Sequence, residues 1–140
     1  MADITVTHRY RHPPETVFDA WLDAAVARRF LFATPTGEMI RAEVDARVGG
    51  RFTFVDRRPD MGDVLHTGEY LEIDRPRRLV FTFGVPQYEP GFTRVEIEIT
   101  PADGGCEVRL TQRDTPDEWI AQSQKGWSMI LASLEAGLGG

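Results

Sequence analysis

The strongest constraint on this chain is an alternation of apolar and polar residues that recurs along most of its length. In the first such segment, Ile4, Val6, His8 and Tyr10 share one side, while threonines and an arginine take the other. A period of two residues with many β-branched side chains predicts strands that bury one face. The predicted strands cover 4–10, 40–48, 64–73, 79–83, 93–100 and 106–113, with one more starting at 52 and followed by a polar loop over 56–63.

Short turns connect most of these segments. The sequences at 49–50, 74–76 and 103–105 are rich in glycine, proline and aspartate, which is typical of tight turns. Strands joined in this way pair antiparallel, and strands with one polar face form a sheet that is covered on one side only. Tyr70 has the opposite parity to Leu71 and Ile73, which indicates either a β-bulge between them or one side chain assigned to the wrong face.

Helix signals frame the strands. Pro13-Pro14 begins a short helix after the first strand, and Asp23 can cap a second one. Near the C-terminus, Thr115 and Glu118 match a capping box, in which each side chain accepts a backbone N–H of the first helical turn. A long helix over 117–138 is therefore predicted. Its apolar stripe comprises Ile120, Trp127, Ile130, Leu131, Leu134 and Leu138.

Together these elements predict an α+β fold. A seven-stranded antiparallel sheet wraps around the long C-terminal helix, and two short helices follow the first strand. A length of 140 residues fits a single domain over 1–140. A strongly twisted sheet curled around one helix often leaves space that side chains do not fill, so an internal cavity is expected between the helix and the sheet.

Charge and composition narrow the function classes. A formal net charge of −6 argues against a nucleic-acid or anionic-membrane partner. We find no secretory signal and no apolar run of membrane-spanning length. The one cysteine, Cys106, makes no intramolecular disulfide and fits a reducing compartment. These features predict a soluble, cytoplasmic protein, either a monomer or a homodimer.

The sequence offers no recognisable catalytic set. His8 and His12 are too far apart on an extended strand to share a zinc ion, and with His66 they are interpreted as half-exposed strand and turn residues. Cys106 and Ser128 lack the surroundings of a nucleophile and are interpreted as structural. Phosphate-binding glycine motifs are missing from the sequence. No catalytic residue, metal or cofactor is therefore expected.

Five stretches in order along the chain resemble the START-like, birch-pollen-allergen-like (SRPBCC) superfamily and its helix-grip fold. They also resemble the branch named for the activator of the heat-shock-protein-90 ATPase. The stretches are PPETVFDAW at 13–21, VDARVGGRF at 44–52, GEYLEI at 68–73, RLVFTF at 78–83 and GW at 126–127. The resemblance implies the fold and a cavity for small molecules, whereas activity varies within the superfamily. A dedicated co-chaperone of this branch would carry a further N-terminal domain, which is not expected here.

The leading hypothesis is binding of a small hydrophobic molecule in the cavity. The predicted walls are Phe52, Phe54, Tyr70, Phe81, Phe83 and Val95 on the sheet, with Trp119, Trp127, Ile130 and Leu134 on the helix. His8, Gln112 and the Tyr70 hydroxyl are candidate polar handles, although the simpler explanation for His8 and Gln112 is a bond to the backbone or a position at the rim. The loops 33–37 and 84–91 are the expected entrance.

Two alternatives remain open at this stage. One is a co-chaperone with a chaperone partner, and the other is a cyclase- or hydrolase-type enzyme that uses the same cavity. The carboxylates Glu43, Asp45, Glu96 and Glu98 fall on the polar parity of their strands and are expected on a solvated outer face with cross-strand charge pairs.

Overall fold

The computed structural model describes residues 2–31, 37–60, 62–86 and 91–138. Its elements follow the predicted order of one strand, two short helices, six strands and a long helix. They are β1 (Ala2–Tyr10), α1 (Pro14–Leu22), α2 (Ala24–Phe30), β2 (Glu38–Val44), β3 (Arg51–Arg58), β4 (Gly62–Asp74), β5 (Arg78–Phe83), β6 (Thr93–Ala102), β7 (Gly105–Thr115) and α3 (Ile120–Gly137).

The seven strands form one antiparallel sheet in the order β1-β7-β6-β5-β4-β3-β2. This topology confirms the predicted α+β class. The chain crosses once, from β1 through α1 and α2 to the opposite edge at β2, and every later strand pairs with its predecessor. Helix α3 packs against β1 and α2, and so it lies over one face of the sheet. We call this face the inner face.

The short helices anchor the crossover by burying one side each. Trp21 of α1 meets Phe30 of α2 edge to face, with ring centroids 5.2 Å apart, and both side chains are buried. Asp23 between the two helices accepts a hydrogen bond from the Ala25 backbone N–H at 3.0 Å. The predicted cap is therefore confirmed, and it ends one helix while it starts the next.

The predicted capping box at the start of the long helix does not form. Thr115 is the last residue of β7, where it pairs with Ala2, and its hydroxyl is directed to the Gln112 carbonyl at 3.5 Å. A 3₁₀ turn over Asp117–Trp119 precedes α3, with no side-chain cap on either segment. Because Thr115 is already part of the strand, its hydroxyl does not reach the first helical turn.

Two strand boundaries differ from the prediction. Strand β2 ends at Val44, earlier than predicted. The turn that follows contacts β4 instead, where the Gly49 N–H donates to the Tyr70 carbonyl at 2.9 Å. Gly49 adopts φ +86° there, in the left-handed region that favours glycine. The predicted loop 56–63 is instead mostly strand: Arg58 pairs with Gly62, so the loop of this hairpin shortens to 59–61.

The β-bulge predicted beside Tyr70 is confirmed. The register between β4 and β5 shifts between Tyr70 and Glu72, so an extra residue interrupts the alternation. Tyr70 faces the core before the shift, and Ile73 packs against the core after it. Both side chains thereby reach the inner side despite their opposite parity.

Candidate functional site

Four connections meet at one end of the sheet, which we call the hairpin end. They are the β3–β4 hairpin, the β5–β6 connection, the approach to β2 at Glu38, and the passage from β7 into α3. The predicted entrance loops belong to this end, although their residues 33–36 and 87–90 lie outside the described residues.

The predicted wall residues separate into two groups. The first is a packed aromatic cluster deep on the inner face, in which Phe52 contacts Phe54, Tyr70 and Phe81 with ring centroids 5.4–6.0 Å apart. Tyr70 is buried here, and burial raises the pKa of its hydroxyl. Val95 and Leu134 are also buried in the core around this cluster.

The second group lies toward the hairpin end and is less enclosed. Phe83, Trp119 and Ile130 are half-buried, whereas Trp127 is buried. The rings of Phe83 and Trp127 meet edge to face with centroids 5.4 Å apart, which links the end of β5 to the middle of α3. This group therefore combines fixed aromatic surface with partial exposure.

Gln112 fixes the orientation of Trp127. The indole N–H of Trp127 donates to Gln112 Oε1 at 2.8 Å, and Gln112 Nε2 donates to the Thr93 hydroxyl at 2.8 Å. Because the indole nitrogen only donates, this bond settles which end of the amide faces α3. Gln112 is thus neither at the rim nor bonded to the backbone through its side chain, and its amide joins α3 to β6 and β7.

His8 lies away from this group. It pairs with Val108 on β7, while Gln112 pairs with Ile4, four residues earlier along β1. His8 Nε2 is 2.7 Å from Glu135 Oε1 near the end of α3, and both side chains are partly exposed. The structure therefore places His8 at the rim, where it ties α3 to β1.

Three polar residues that were not predicted to face inward lie on the inner face of the β3–β4 hairpin. Asp56 is fully buried and lies 2.9 Å from Arg58 Nε, and His66 is 5% exposed. The His66 ring stacks on Phe83, with centroids 6.2 Å apart and an interplanar angle of 18°. The interpretation of His66 as half-exposed was wrong: it shares the inward parity of its buried β4 neighbours Val64 and Tyr70.

We refer to Asp56, Arg58 and His66 as the hairpin triad. Burial, with a further contribution from the positive charge of Arg58, lowers the pKa of His66 to about 4, while Asp56 opposes the shift. The imidazole is therefore neutral at neutral pH. The carboxylate of Asp56 and the guanidinium of Arg58 compensate each other, so the triad presents hydrogen-bonding groups with no net charge.

The outer face contains a second cluster, built around Glu96. Its carboxylate is 2.9 Å from Arg113, 3.0 Å from Arg94 and 3.7 Å from Arg78. Glu96 is only 7% exposed, so the expectation of a solvated residue was wrong, whereas the expected cross-strand charge pairs are present. The stems of the arginines cover the carboxylate, and hydrogen bonding to Arg113 lowers its pKa.

Other candidate chemistry finds little support in the described ranges. Cys106 is buried, and burial raises the pKa of its thiol, which disfavours a reactive thiolate. Among residues 2–31, 37–60, 62–86 and 91–138, no three His, Cys, Asp or Glu side chains converge as a metal site would require. None of the helices within these ranges is long and apolar enough to cross a membrane.

Solved structures resemble the chain along its whole length. Protein CV1439 from Chromobacterium violaceum is 26% identical with a TM-score of 0.87, and the match covers 96% of this chain and 95% of that one. The AHSA1-like protein from Aeromonas hydrophila is 26% identical with a TM-score of 0.83, over 97% and 91% of the two chains. Protein NE0264 from Nitrosomonas europaea is 19% identical with a TM-score of 0.82, over 98% and 94%, and so supports the fold alone.

The sequence also matches a family model. No protein of curated function is significantly similar to the chain. The model described as Activator of Hsp90 ATPase homolog 1-like protein matches residues 11–139, which is nearly the whole chain. This match agrees with the helix-grip arrangement of the sheet around α3 and with the structural relatives. The chain therefore belongs to the AHSA1-like family, within the START-like (SRPBCC) superfamily.

Proposed function

We propose that the protein binds a small hydrophobic molecule between α3 and the inner face of the sheet, toward the hairpin end. The observation that carries this proposal is the half-buried Phe83, whose ring lies between those of Trp127 and His66. Ligand sites combine apolar, aromatic walls with a few fixed polar groups. The fold of this family commonly binds hydrophobic ligands, which supports the same function.

The hairpin triad supports a functional role for this end of the sheet. A buried ion pair adds little net stability, because the loss of hydration offsets the attraction between the charges. A core that served stability alone would gain more from apolar side chains at these positions. The pair Asp56–Arg58 is therefore better explained by recognition of a polar group than by packing.

Trp127 provides a direct readout of binding. We expect Nile red, an uncharged apolar dye, to bind saturably and to quench tryptophan fluorescence. Phe83→Ala removes the ring in contact with Trp127 and should weaken binding about tenfold, a loss of ~1.4 kcal/mol. Leu71→Ala is the control, because Leu71 is 39% exposed, lies at the bulge and takes no part in the ring contacts of Phe83 with Trp127 and His66. Absence of saturable binding, or equal weakening by both substitutions, contradicts the proposal.

A cyclase- or hydrolase-type activity is the second candidate, since the triad brings ionisable side chains to the inner face. General acid–base catalysis requires a group whose pKa lies near the working pH. His66, with a pKa of about 4, suits hydrogen bonding more than proton transfer at neutral pH. We therefore propose binding ahead of catalysis.

A chaperone partner is a further candidate, suggested only by the name of the family. Such a partner requires a complex with an Hsp90-type chaperone and stimulation of its ATPase, and it needs no bound small molecule. Co-sedimentation and ATPase assays with the purified chaperone test this candidate independently of the dye titration. For either activity we infer a cytoplasmic location, in keeping with the free thiol of Cys106.

A further inference from the structure

The hairpin triad also bears on which ligands the proposed site accepts. Phe54 on β3 pairs with His66, and Asp56 pairs with Val64, so Asp56 and His66 lie on the same inner face, on rungs separated by the Val55–Leu65 pair. The Arg58 side chain is 21% exposed, while that of Asp56 is not exposed at all. The ion pair thus extends from the interior toward the end of the hairpin, and His66 lies between it and Phe83.

The charges of the triad are already balanced. The Asp56 carboxylate compensates the Arg58 guanidinium, and burial keeps His66 neutral. A carboxylate ligand that entered beside them would lose its hydration and would meet Asp56 as well as Arg58. Burial of a charge without its own counter-charge is strongly unfavourable.

An uncharged polar group meets no such penalty. A guanidinium has five N–H donors, more than one carboxylate oxygen uses, and the Arg58 side chain is 21% exposed. A ligand hydroxyl or carbonyl can therefore accept a hydrogen bond from Arg58 while its ring or chain packs toward Phe83.

We propose that the Asp56–Arg58 pair selects ligands that carry an uncharged hydroxyl or carbonyl group on an apolar body, and that it discriminates against carboxylates. This inference rests on the proposed binding function and specifies its ligand class. The discrimination arises from the Asp56–Arg58 pair, so the charge of Asp56 is the property to test.

Three probes of equal ring size test the selection in the unmodified protein at pH 7: naphthalene, 2-naphthol and 2-naphthoate. We expect 2-naphthol to bind at least about tenfold more tightly than 2-naphthoate. Equal affinity for these two, or tighter binding of 2-naphthoate, overturns the selection while the proposed function stands. Failure of all three to bind contradicts the proposed function itself.

A single substitution should reverse the preference. Asp56→Asn leaves the Arg58 charge uncompensated, so the affinity for 2-naphthoate should rise about tenfold and that for 2-naphthol should change less than about threefold. Asp63→Asn is the matched control: it changes the net charge equally and frees Arg57, its 2.8 Å partner on the outer face of the same hairpin. A rise in 2-naphthoate affinity of the same size in both variants would assign the effect to overall charge and overturn the proposal.

Discussion

At the scale of single residues, polar side chains decide how the inner face is arranged. Gln112 lies among apolar neighbours on β7, yet each end of its amide has a partner, Trp127 on one side and Thr93 on the other. A buried polar group without a partner would cost about 1–3 kcal/mol, so these two bonds hold Trp127 in one orientation. The aromatic surface that Trp127 presents to Phe83 is consequently fixed by the protein's own hydrogen bonds.

The buried imidazole of His66 should make the stability of the protein depend on pH. Its pKa falls from 6.5 to about 4 on folding. Below pH 6.5 the unfolded chain therefore takes up a proton that the folded protein does not, and the free energy of unfolding decreases as the pH drops toward 4. The whole shift corresponds to roughly 3 kcal/mol.

Urea denaturation of the wild type and of His66→Gln between pH 7 and pH 5 measures this effect. We expect the wild type to lose more stability than the variant over this interval. Carboxylates whose pKa is lowered in the fold, such as those of Asp19 and Glu96, reduce the free energy of unfolding only below about pH 4.5, where the same groups begin to take up protons in the unfolded chain. Parallel curves for the two proteins would show that His66 is not the titrating group.

At the scale of elements, the two predicted helix caps had different outcomes. Asp23 accepts a hydrogen bond from the Ala25 N–H. Glu118, by contrast, lies in a 3₁₀ turn with no side-chain cap, because its expected partner Thr115 belongs to β7. Asp23→Ala should therefore lower the free energy of unfolding by about 1 kcal/mol. For Glu118→Ala we expect a change below about 0.5 kcal/mol.

Chemical denaturation of both variants compares the two caps within one protein. Each substitution removes one carboxylate near a helix start, so the two share the same change in net charge. A loss for Glu118→Ala as large as that for Asp23→Ala would mean that a capping box forms in solution.

The sequence predicted the elements well because the inward positions of most strands are apolar. The prediction fails in the β3–β4 hairpin, where the inward positions are polar. Asp56 and Arg58 are polar and charged, so 56–63 was interpreted as loop, although these residues continue the inward parity of Phe52 and Phe54. The parity of His66 was readable in the same way. Its stacking on Phe83, by contrast, depends on the register between β4 and β5, which no local pattern contains.

At the scale of the whole molecule, the two faces of the sheet use charge differently. The inner face carries the compensated Asp56–Arg58 pair beside aromatic rings, whereas the outer face carries a network that joins four of the seven strands. Asp3 on β1 binds Arg113 on β7, Arg113 binds Glu96 on β6, and Glu96 adjoins Arg78 on β5. Single exposed ion pairs contribute little to the free energy of unfolding. A network around a buried carboxylate, by contrast, links the positions of four strands.

Glu96→Gln tests whether this network stabilises the sheet. The substitution keeps the shape of the side chain but leaves three arginines around a neutral group, so we expect a loss of roughly 1–3 kcal/mol in the free energy of unfolding. The loss should shrink at high salt, because ions screen the repulsion between the arginines.

Glu98→Gln is the control on the same strand. The Glu98 carboxylate is 3.8 Å from Arg78 and its side chain is 48% exposed, so a change below about 1 kcal/mol in the free energy of unfolding is expected. Urea denaturation at low and high ionic strength compares the two variants. Equal losses would mean that Glu96 acts as an ordinary surface charge and that backbone pairing and inner-face packing hold the sheet without it.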